Sequence, residues 1–141
     1  MPNKSTALSQ AILDRELGQV ASTPLTTVYI RLYTVAPTPG TAGTEMSGDT
    51  YSAQSFTNDI YNVSTNPTGH WNPATNDGIN GIKTNAQIIT FPTAVANTWP
   101  IVAVAITDSS GNIKCYGPCV LTVQIGQAFT IAAGSLTVYE Q

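Results

Sequence analysis

From Thr26 onward the chain is a succession of short runs rich in β-branched and aromatic residues, each cut off by Gly, Pro, Asn or Asp. Such punctuation leaves no room for long helices and favours strands joined by turns. The clearest run is Thr26–Val35, TTVYIRLYTV, in which Val28, Ile30 and Leu32 alternate with Tyr29, Arg31 and Tyr33. A period of two is the signature of a strand with one buried face. Further strands are expected at Tyr51–Phe56, Gln87–Phe91 (stopped by Pro92), Ile101–Thr107, Ile113–Tyr116, Val120–Ile125, Ala128–Ala132 and Leu136–Tyr139. Asp108–Asn112 reads as a hairpin turn, and Gly117-Pro118 as a bend between two strands. About eight strands at this spacing predict a mainly β fold, a jelly-roll-like β-sandwich.

One segment has the helical period instead. Leu8, Ile12, Leu13 and Leu17 fall on one stripe of a helix over 5–18, which Ser5 or Thr6 starts and Gly18 ends. The chain is thus read as a single domain, 1–141: a short N-terminal helix at 5–18 and a β body over 26–141. Residues 36–50 lack periodicity and read as a loop. Residues 57–86, dominated by Asn, Thr, Gly and Pro, read as a long polar loop in which Trp71 stands almost alone.

The helix and the long loop both look incomplete in isolation. A helix of about 14 residues is marginal in water without packing. A long structureless loop is uncommon in a compact domain unless contact orders it. Leu8, Ile12, Leu13, Leu17 and Trp71 are therefore the expected interface residues. For Trp71 a second reading, a plug from the loop onto the core, is weighed ahead of the first.

Composition narrows function. Only 9% of residues are charged, against about 25% in an average soluble domain. Neutral polar groups cost less to desolvate than ions, so this surface suits packing against a protein partner. The five basic residues are scattered and the net charge is −3, so nucleic acid is not an expected partner. No apolar run approaches the roughly 18 residues of a membrane helix. The N-terminal apolar positions are interrupted by Gln10, Asp14, Arg15 and Glu16, unlike a secretory signal, so synthesis and folding in a cytoplasm are expected.

No chemistry-bearing constellation emerges. Cys115 and Cys119 are too few for a disulfide framework and lack further metal ligands. His70 has only Asp59 or Asp77 as a conceivable partner, and no triad signature surrounds it. Glu45, Asp49 and Asp77 lack the spacing of a calcium loop. Tyr29, Tyr33 and Tyr116 would serve a sugar-stacking platform or, more simply, a strand. No catalytic residue, cofactor or metal ligand is expected; the chain is read as a non-enzyme that acts by binding.

One block is more specific. Leu32-Tyr33-Thr34, Pro37-Thr38, Gly43-Thr44-Glu45, Ser47-Gly48 and Tyr51 form a pattern LYT-x-x-PT followed by GTE-x-SG-x-x-Y. With the N-terminal helix, the apolar strand and turn at Val102–Asn112, and the C-terminal Phe129 and Gly134-Ser135-Leu136-Thr137-Val138, it resembles a family of small tailed-phage virion structural proteins. Residues 57–86 depart from that pattern. The resemblance implies a virion component. Its first expected role is a capsid cement, or decoration, protein that binds the major capsid protein on the outer shell. The alternative is a tail or tail-fibre subunit contacting tail proteins, and the third is a carbohydrate-binding module. A homo-oligomer is expected, a trimer slightly ahead of a dimer.

Overall fold

The computed structural model describes residues 3–4, 17, 24–78 and 81–140. The expected helix over 5–18, with Leu8, Ile12 and Leu13, lies outside the described residues apart from Leu17, which is helical and exposed. The strands described are β1 (Asn3–Lys4), β2 (Thr27–Val35), β3 (Thr44–Glu45), β4 (Gln54–Thr57), β5 (Thr75–Asn76), β6 (Gly81–Thr84), β7 (Ile89–Thr93), β8 (Trp99–Thr107), β9 (Ile113–Val123), β10 (Ala128–Ile131) and β11 (Thr137–Glu140). The chain is mainly β, as its period-two runs require.

Three long strands make the main sheet. β2 pairs antiparallel with β8, and β8 with β9. Strand β1 adds to β9 at Tyr116 and Cys115, while β3 and β4 share the far edge of β2. Two smaller antiparallel sheets, β7–β10 and β5–β6–β11, form a second layer. The principal core joins Val28, Ile30 and Leu32 of β2 with Ile101, Val104 and Ile106 of β8. Ile89, Phe91, Ile131 and Trp71 meet them from the other layer. The alternation read in TTVYIRLYTV is therefore real: its aliphatic half points into this core. A smaller cluster of Tyr33, Ala103, Ala105 and Tyr116 covers part of the opposite face, which explains why β8 reads as a continuous apolar run.

Three local expectations need correction. Pro92 does not stop its strand, because β7 continues to Thr93. The register shifts from Thr93↔Ala128 to Thr90↔Thr130 around it, and a bulge tolerates a residue without an N–H. Gly117-Pro118 likewise does not divide two strands. β9 runs through, and the pairing slips between Ala103↔Pro118 and Ile101↔Leu121. Finally, 36–50 and 57–86 are not plain loops. The first carries β3. The second carries β5, β6 and bridges joining Ile60 to Trp71, Asn62 to Asn66 and Trp71 to Asn85. Period-based reading misses them because their order comes from side chains bonding to backbone.

Candidate functional site

For a chain expected to act by binding, the questions are which residues are bound up in holding the fold and which are left free. Trp71 belongs to the first group. It is 4% exposed and part of the principal core, so within the described fold it is a plug and presents no contact surface. Asp59 shapes the segment that carries it. Its Oδ1 accepts the His70 backbone N–H at 3.0 Å and lies 2.8 Å from His70 Nδ1. Its Oδ2 accepts from Asn66 Nδ2 at 3.0 Å. Those bonds from Asn66 and His70 outweigh desolvation and hold the Asp59 carboxyl down at about 2. The His70 ring stacks on Phe56 at 4.8 Å, and Phe56 meets Trp71 edge-on. Asp59 and His70 thus staple a loop.

The residues of the LYT and GTE block are architectural too. The Tyr51 hydroxyl accepts the Leu32 N–H at 3.0 Å and donates to Glu45 Oε1 at 2.9 Å. Both Glu45 oxygens take Arg31 Nη1, at 3.0 and 2.9 Å. Arg31 Nε donates to Thr107 Oγ1. Gly43 has φ +70°, and a Cβ there would lie 2.4 Å from the Val35 carbonyl oxygen. Only glycine lets this loop turn back onto β2.

Both cysteines lie on β9 and are free thiols. Burial pushes the Cys115 thiol up to about 12, and raises Cys119 as well. Neutral thiols of this kind are poor nucleophiles and poor ligands. Among the described residues no group of three His, Cys, Asp or Glu is placed to hold a metal ion, and no helix is long and apolar enough to cross a membrane.

What the fold leaves open lies along β9. A cleft of about 850 Å³ separates the main sheet from the second layer there. Ile106, Cys115 and Cys119 form one wall; Phe129, Ile131 and Val138 face them. Alongside it, β9 beyond Tyr116 has no strand partner on its outer side among the described residues. Val120, on this run, is 81% exposed, and Ile125, just past its end, is also exposed. No charged side chain lies between Lys114 and Glu140.

Comparison with known families bears on what such a surface serves. The model of the family described as podophage GP4 fiber I protein gp80 matches residues 3–139. The chain belongs to that family. A gp80-family chain is a structural protein of the phage virion, as the LYT and GTE block led us to expect. The family's description names a fibre, which places the coarse localisation in the virion and makes other virion proteins the natural partners. No curated protein matches the chain significantly.

Proposed function

We propose that this gp80-family chain is a tail-fibre structural subunit that works by protein–protein contact and carries out no catalysis. The observation behind this reading is the family match across nearly the whole chain, to proteins described as fibre components. The surface agrees with it. An uncharged strand edge and an apolar cleft suit contact with other virion proteins. The polar groups with potential for chemistry, Asp59, His70 and Glu45, are engaged in holding loops.

Capsid cement is the second reading. It is favoured by a short chain folded as a β-sandwich with no extended repeat, a shape suited to sitting on a lattice. A cement protein would bind the major capsid protein and stabilise the shell by mass action. Electron microscopy of intact particles labelled against this chain separates the two. Label at the tail with low copy number supports the fibre subunit. Label spread over the outer shell at lattice-scale copy number overturns it and establishes cement.

A further inference from the structure

We draw no further inference here: the strongest candidate, the apolar cleft between β9 and the second layer that Ile106, Cys115, Phe129 and Val138 line, carries no proposal, because nothing in the structure shows what covers it.

Discussion

The carboxylate of Asp49 accepts the indole N–H of Trp99 at 3.1 Å across fifty residues of chain. The same group accepts the backbone N–H of Val95, Ala96 and Asn97. It gathers the segment before β8 onto the loop after β3. Asp49 adopts a positive φ of 51° to do so, a conformation that Asn and Asp tolerate best. Desolvation pushes this carboxyl up, and the four hydrogen bonds outweigh it, so its affinity for a proton is lowered. Asp49→Ala should lower the melting temperature by several degrees, because it strands the Trp99 N–H and adds strain at a positive φ. Asp49→Asn should recover part of the loss, since it keeps the conformation and one acceptor oxygen. Differential scanning calorimetry of both variants decides the order. Equal loss would mean that geometry at residue 49 matters less than charge.

Trp71 separates a core role from an interface role. It is buried against Phe56, and its Nε1 has no hydrogen-bond partner among the described residues. Trp71→Ala should cost about 3–5 kcal/mol by leaving a cavity. Trp71→Phe should cost about 1–2 kcal/mol, because it loses volume but no hydrogen bond. Denaturant unfolding of the free chain measures both. If Trp71→Ala leaves the free chain's stability unchanged yet abolishes assembly, the indole acts at a contact and the packing argument fails.

Asn85 marks the limit of what periodicity could reveal. The aliphatic alternation of β2 and the apolar run of β8 were legible because burial imposes a period on side chains. The order within 57–86 was not, since Asp59, Asn66 and Asn85 build it through irregular bonds to backbone. Pro92 and Pro118 misled for a related reason: a bulge, invisible in one sequence, decides whether a proline ends a strand. Asn85 itself is 1% exposed. Its Nδ2 donates to the carbonyls of Gln87 and Ala132, at 2.8 and 2.9 Å, and its Oδ1 accepts the Leu136 N–H at 2.9 Å. It therefore pins the end of the polar segment to the turn before β11. Asn85→Ala should cost about 2–4 kcal/mol, chiefly from buried groups left without partners. Hydrogen exchange should open the Leu136 amide before the β8 amides. Uniform opening would mean that Asn85 acts on the whole fold and not on this junction.

Acid should loosen two loops before it unfolds the sheet. Asp59 sits at about 2 through its bonds from Asn66 and His70. Asp108 is also near 2: desolvation pushes it up, but bonds from Asn112 and Lys114 prevail. Both carboxyls lie below their ordinary value near 4. Their contribution is thus complete above pH 4 and is lost as pH falls toward 2. Stability measured by urea titration should be flat from pH 7 to about 5 and decline below 4. Asp59→Asn with Asp108→Asn should start lower and respond less to acid. A double variant with the wild-type acid slope would place the sensitive groups elsewhere.

Alkali should act through β9 and its neighbours, with the opposite sign. Burial raises the Cys115 thiol to about 12 from an ordinary value of 9.0, and burial also raises Tyr51. A raised acid keeps its proton in the folded chain while the unfolded chain releases it. Stability is therefore complete below pH 9 and falls as pH climbs toward 12. Cys115→Ala removes one of these groups and should flatten the alkaline limb, at a cost near neutrality of about 1 kcal/mol for a slightly smaller buried side chain. Cys119→Ala should change the limb less, because Cys119 is only half-buried at the cleft. Thiol titration of the native chain offers an independent check. Cys119 should react slowly and Cys115 only after unfolding, since the thiolate is the reactive species and burial suppresses it. Prompt reaction of Cys115 at neutral pH would mean that this part of β9 opens readily, and the alkaline limb would then have to be assigned to Tyr51.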